Sequence, residues 1–133
     1  MEETLVIVKP DATRRGLAGR VIARFEDAGF EIVQMRSEVP PRELVSEFYA
    51  EHEGKEFYDP LLDFMTSGLA CFMRLRRENA IARARSLAGP TNPEQAPPGT
   101  IRGDFGLNVR QNSVHASDSP ESARREIALI FPA

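Results

Sequence analysis

Short β-branched runs alternate along this chain with stretches in which apolar residues return every three or four positions. Thr4 to Val8 (Thr-Leu-Val-Ile-Val) is such a run and predicts a buried strand. In Gly16 to Ala28, Leu17, Val21, Phe25 and Ala28 share one helical face, and Gly29 is placed to end the helix. Phe30 to Val39 reads as a second strand, stopped by Pro40-Pro41. Two short helices follow, one with Leu44, Val45, Phe48 and Tyr49 inward, the other with Leu61, Leu62 and Met65 before Gly68. Leu69 to Leu75 is a third strand, and Glu78 to Leu87 is a helix burying Ala80, Ile81, Ala84 and Leu87. Ala88 to Gly103 breaks the pattern: it holds four of the ten prolines and three glycines, and reads as a long, stiffened loop.

The last segment is ambiguous. Ser119-Pro120-Glu121 is a strong helix start, with a capping Ser, Pro at the first position and an acid at the positive end of the dipole. Ile127 to Phe131 fits either a continuing helix or a fourth strand, and periodicity does not decide. A fourth strand there gives the split βαβ order of a ferredoxin-like fold. The expected class is α+β: a four-stranded antiparallel sheet with helices on its faces, an extra helical hairpin and the Pro/Gly-rich loop. No repeat or linker divides the chain, so residues 1–133 read as one domain.

Composition narrows the function. With 41% hydrophobic and 28% charged residues the chain is not of the disordered kind. A single cysteine, Cys71, excludes an internal disulfide framework and a cysteine-based zinc cluster. The longest stretch without a charge, Phe64 to Met73, is ten residues, too short for a membrane-spanning helix. The acidic Met1-Glu2-Glu3 start does not resemble a signal peptide, and a cytoplasmic location is the expectation. Net charge is −3, the wrong sign for holding nucleic acid by an overall field, so nucleic acid is not the expected main partner. The 17 basic residues include only two lysines, Lys9 and Lys55, which draws attention to each.

Candidate chemistry collects in a few places. His115 lies in Asn112-Ser-Val-His-Ala-Ser-Asp-Ser119, directly before the helix start, where backbone N–H groups favour an anion. Glu126 could bond one ring nitrogen and leave the other free to react; the bland alternative is a loop histidine among capping residues. His52, between Glu51 and Glu53, reads as a solvated or capping residue. Lys9 closes the first strand before Pro10, either placing a cation at the end of the sheet or snorkelling to solvent. Arg102 sits between glycines and could pair with an anion, or merely with Asp104. Arg74, Arg76, Arg77, Arg83 and Arg85 form a cluster that reads as mostly solvated. Phe57 could stack on a base or pack in the core. No Gly-rich phosphate loop and no metal-ligand spacing occur, so a nucleotide site would have to be built from side chains.

In order along the chain, these segments resemble the nucleoside diphosphate kinase family. The family hallmark Asn-x-x-His-Gly-Ser-Asp-Ser is matched by Asn112 to Ser119, and its first strand and lysine by Val8-Lys9-Pro10-Asp11-Ala12. Arg24 to Phe30, Phe48 to His52, Phe64 to Gly68, Thr91-Asn92-Pro93 and Gly99 to Asp104 match as well, and the similarity runs from about residue 4 to the end. The resemblance implies transfer of the terminal phosphoryl of a nucleoside triphosphate to a nucleoside diphosphate through a phosphohistidine. By motif position His115 is the nucleophile, Glu126 orients its ring and Ser117 supports that contact. Lys9, Arg85, Thr91 and Arg102 hold phosphates, and Tyr49 lies near the transferring group. Asn112 and Lys9 bond the ribose, and Phe57 stacks on the base with Leu61 and Val109 beside it. Mg²⁺ arrives with the nucleotide, held mainly by phosphates and water. The resemblance also makes Ile127 to Phe131 the fourth strand, and implies a dimer-based homo-oligomer, possibly a tetramer or hexamer.

Those roles suit the chemistry. Phosphoryl transfer needs positioning and charge stabilisation, and Arg offers a forked pair of donors to phosphate oxygens. Stacking tolerates every base, so little base preference is expected. Two departures stand out. Ala116 replaces the family glycine after the histidine, a cost if that position needs positive φ. The chain stops at Ala133, where many relatives continue into a segment used in subunit contacts. The competing readings are a catalytically silent nucleotide-binding module on the same fold and a nucleic-acid binder using the Arg cluster with Phe57.

Overall fold

A computed structural model describes residues 1–133. β1 (Glu2–Val8) leads through a one-turn helix, α1 (Pro10–Thr13), and α2 (Ala18–Asp27) into β2 (Glu31–Glu38). The short α3 (Arg42–Phe48) and α4 (Tyr58–Met65), linked through a 3₁₀ turn at Ala50–His52, precede β3 (Ala70–Arg77) and α5 (Ala80–Ala88). A 3₁₀ turn (Pro93–Gln95), α6 (Ile101–Phe105), β4 (Val114–Ala116) and α7 (Pro120–Ile130) complete the chain.

The strands form one sheet in the order β2-β3-β1-β4 with every pair antiparallel. β3 therefore lies between β1 and β2, the split βαβ arrangement anticipated from the sequence. β1 is central and covered on both faces, which is why its apolar run is unbroken. Val6 and Val8 pack with Val21, Phe25, Met73 and Leu75 on one side, under α2 and α5. Leu5 and Ile7 pack with Val45, Phe48, Leu62, Met65 and Ile130 on the other, under α3, α4 and α7.

Two expectations are corrected. Ile127 to Phe131 is not a strand: α7 continues to Ile130, because Ala123, Glu126 and Ile130 fall on one buried face and Ser119 Oγ caps the start by accepting from the Ser122 N–H at 3.1 Å. The fourth strand is Val114–Ala116, and it carries His115 opposite Ile7. The long loop also holds order that its prolines and glycines concealed. Thr100 caps α6, its Oγ1 accepting from the Gly103 N–H at 3.0 Å. A Cβ on Gly103 would meet the Pro97 carbonyl oxygen at 2.2 Å, so close packing of backbone on backbone requires glycine there.

Candidate active site

A cleft of about 400 Å³ opens where β1 stops at Lys9, between the α3–α4 region on one side and α5 with α6 on the other. Every residue to which the family resemblance gives a role lines it except Ser117, which is fully buried behind Glu126; of the Arg cluster around β3 only Arg85 reaches it.

The histidine corner is built from β4 and α7. His115 Nε2 lies 2.8 Å from Glu126 Oε1. A carboxylate only accepts, so Nε2 carries the proton and the lone pair falls on Nδ1. The Ser117 hydroxyl donates to the same Glu126 oxygen at 2.7 Å, and the Leu5 N–H donates to Ser117 Oγ at 3.2 Å. A relay thus runs from the backbone of the central strand to the imidazole. The Phe48 ring meets the imidazole edge-on, with centroids 5.0 Å apart, and fixes the ring from its apolar side.

The wall beside this corner is cationic, and two of its arginines bond the β4 carbonyls on either side of His115. Lys9 Nζ donates to Asn112 Oδ1 at 2.8 Å. Burial, reinforced by the Arg102 charge and opposed by Asp11, brings the Lys9 ammonium down to about 8. Arg102 does not pair with Asp104, which bonds Arg24 at 2.7 Å instead. Its guanidinium donates to the Gly89 and Val114 carbonyls, both at 2.8 Å, while its Nε is buried without a partner. Burial, with Arg85 adding to it, lowers Arg102 to about 10, so it stays charged at neutral pH. Arg85 donates to the Ala116 carbonyl at 3.1 Å. Asn112 Nδ2 donates to the Thr91 and Val109 carbonyls, joining this wall to the loop above it.

The mouth is apolar and open: Phe57 is 42% and Val109 60% exposed, with Leu61 beside them. Tyr49 is buried deeper, where loss of solvent and then the Glu126 charge push its phenol up. His52, read from the sequence as a solvated or capping residue, lines the cleft, with its ring 5.1 Å from that of Phe57 and Lys55 Nζ 3.2 Å from its Nδ1. Its neighbour Glu51 and the helix-start Asp118 line the cleft too. The pattern of a Tyr followed by a charged helix end was the available signal for His52. Phe48 falls in the same matching segment, but a helical Phe reads as core and gives no sign of a contact with His115.

A family model described as nucleoside diphosphate kinase matches residues 2–133. The chain belongs to the nucleoside diphosphate kinase family. It is 54% identical over 130 residues to the nucleoside diphosphate kinase of Methanocaldococcus jannaschii, covering 98% of this chain and 93% of that one. It is 56% identical over 131 residues to that of Methanococcus maripaludis, covering 98% of each. The crystal structure of the Aquifex aeolicus nucleoside diphosphate kinase superposes with a TM-score of 0.96 at 42% identity, over 99% of this chain and 96% of that one.

Against the family hallmark, Ala116 proves to be an ordinary strand residue. It pairs with Val6 on β1, and the non-glycine residues with positive φ are Asn79 and Ser113. The methyl group therefore carries no backbone penalty. No three His, Cys, Asp or Glu side chains gather closely enough to hold a metal ion. A cation cradled by polyphosphate suits this donor set better than a protein cage does.

Proposed function

We propose that this chain is a nucleoside diphosphate kinase that works by a ping-pong mechanism through His115. The observation that carries the reading is the His115–Glu126 pair, 2.8 Å apart, with Nδ1 left free in a cleft also lined by Lys9, Arg85 and Arg102. Nδ1 attacks the γ-phosphorus, a P–N bond forms, the bond from phosphorus to the bridging oxygen breaks, and the nucleoside diphosphate leaves with that electron pair. The Nε2 proton stays on the ring, and Glu126 offsets the positive charge that develops there. A second nucleoside diphosphate then takes the phosphoryl group by the reverse step. Lys9, Arg85, Arg102 and Thr91 hold the phosphates and Tyr49 adjoins the transferring group. Asn112 addresses the ribose, and Phe57 carries the base with Leu61 and Val109 beside it. Ser117 acts through Glu126.

Glu51 and Asp118, the carboxylates of the cleft lining besides Glu126, would hold a magnesium ion brought by the nucleotide through its water ligands, and the ion would supply neutralisation of phosphate charge. The chain works as one domain, in the cytoplasm, as a homo-oligomer. Supporting assembly, β2 is an edge strand whose outer side is unpaired, and Met35 and Val39 beside that edge are more than half exposed. Arg74 and Arg76 are occupied with Glu3 and Glu31, which weighs against a basic nucleic-acid surface. No helix is long and apolar enough to cross a membrane.

Intact-protein mass after brief exposure to Mg-ATP tests this. One acid-labile phosphoryl adduct is expected, discharged by added nucleoside diphosphate and absent from His115→Ala. A folded, ATP-binding sample without the adduct would instead identify a silent nucleotide-binding module.

A further inference from the structure

Ser113 stands two residues before His115 with φ at +76°, in the left-handed region that a residue with a Cβ avoids. Its own side chain does not compensate, since Oγ is buried without a hydrogen-bond partner. The compensation comes from the segment that follows β1. The Lys9 N–H donates to the Ser113 carbonyl at 2.9 Å, and the Ser113 N–H donates to Asp11 Oδ2 at 3.1 Å. Lys9 Nζ bonds Asn112 at the same crossing. The phosphate-side lysine and the histidine strand are therefore tied together through one strained residue.

Asp11 is costly to keep in this place. It is 1% exposed, and its second oxygen, Oδ1, has no partner. Only Arg15, at 3.3 Å from Oδ2, makes an ion pair with it. Burial pushes the carboxyl pKa up, while Lys9, Arg15 and the bond from Ser113 pull the other way. A hydrocarbon at such a buried site would spare the desolvation penalty of a charge. β4 adds a reason for the carboxylate: with three residues it has too little pairing of its own to fix where His115 stands.

We propose that Asp11 is a positioning residue for phosphoryl transfer, whose carboxylate locks Ser113 in its left-handed conformation and so fixes Asn112 against Lys9 and His115 in the cleft. The inference rests on the phosphotransferase reading and adds to it a residue that touches neither nucleotide nor imidazole.

Single-turnover phosphorylation by Mg-ATP, read by rapid quench beside thermal unfolding, tests it. Asp11→Ala should lower the rate at saturating ATP roughly tenfold or more, because small misplacements of reacting groups are expensive. The apparent ATP affinity should fall by less. Adding Ser113→Gly to Asp11→Ala should recover most of the lost rate, since glycine takes positive φ unaided. Recovery separates this role from an effect of the Asp11 charge on Lys9, which glycine would not repair. Asp11→Asn, which keeps an oxygen acceptor, should retain more of the rate than Asp11→Ala and serves if the latter does not fold. A normal saturating rate in folded Asp11→Ala, no recovery in the folded double variant, or Asn no better than Ala would overturn the proposal. The unaltered chain and His115→Ala run alongside: if the unaltered chain takes up no phosphoryl group, the underlying reading fails there and not in the Asp11 variants.

Discussion

The two sides of the cleft are assembled in different ways. His115, Ser117 and Glu126 come from one β4–α7 unit, and the two ends of the imidazole–carboxylate bond are eleven residues apart in sequence. The cationic wall is gathered from the end of β1, from α5 and from α6, and its Lys9–Asn112 bond joins residues 103 apart. The corner's own partners are close in sequence, on one capped helix and one short strand, and that strand is anchored to β1 by pairing and by the Leu5–Ser117 bond. The wall exists only when the whole sheet and both helix layers are in place. The His115–Glu126 pair should register damage chiefly through β1 and Phe48, whereas the wall should register it from every layer.

Four measurements bear on this contrast. His115→Ala removes the reacting atom, so phosphoryl transfer should fall on the order of 10⁴-fold or more, with nucleotide binding retained; this is read by steady-state exchange and by equilibrium binding. Arg102→Ala deletes a cation of the wall together with two bonds, one to the Gly89 carbonyl and one to the Val114 carbonyl on the histidine strand. Its kcat/KM should drop about 100-fold, with a lower melting temperature. Loss of rate with unchanged stability would show that the wall is less dependent on the fold than argued. Glu126→Gln keeps an acceptor for the imidazole and removes the charge. The phosphorylation rate should fall about tenfold while nucleotide affinity stays within a factor of about two, separating the corner from the wall.

The smallest effect is in pH. Lys9, lowered from 10.5 to about 8, is protonated in the folded protein only below that value. Nucleotide affinity should weaken as pH rises through about 8, by several-fold, and binding near pH 8.5 should take up a proton, measurable by calorimetry in buffers of different ionisation enthalpy. The sign for stability is opposite. Between about 8 and 10.5 the unfolded chain holds the proton that the folded chain has released, so this group makes the fold more stable as pH rises.

What could be read in advance follows the same division. Ser119-Pro120-Glu121 marked the start of α7, and Asn112 to Ser119 marked the histidine, because caps and motifs are short-range. The five apolar residues Ile127 to Phe131 satisfy both periods, and the resemblance alone points to a strand there; burial on one helical face makes them helix, and that is a tertiary fact. Val114 to Ala116 has only three residues, fewer than any pattern needs, and becomes a strand through pairing with β1. Asp104 stands in the sequence as the alternative partner of Arg102, yet Arg24, 80 residues away in sequence, takes it. Asp11 was visible beside Lys9 but meaningless without Ser113, 102 residues on.

Lys9 and Arg102 are like charges withdrawn from water within one wall, each less than a tenth exposed. A polyphosphate would be their natural counter-ion, and on the function proposed above it would bind the folded chain alone. Nucleotide at a hundred times its dissociation constant would add about 2.7 kcal/mol to folding. The survival of this protein against unfolding and proteolysis should therefore rise and fall with the nucleotide pool, so that its abundance becomes a slow record of the supply it equilibrates.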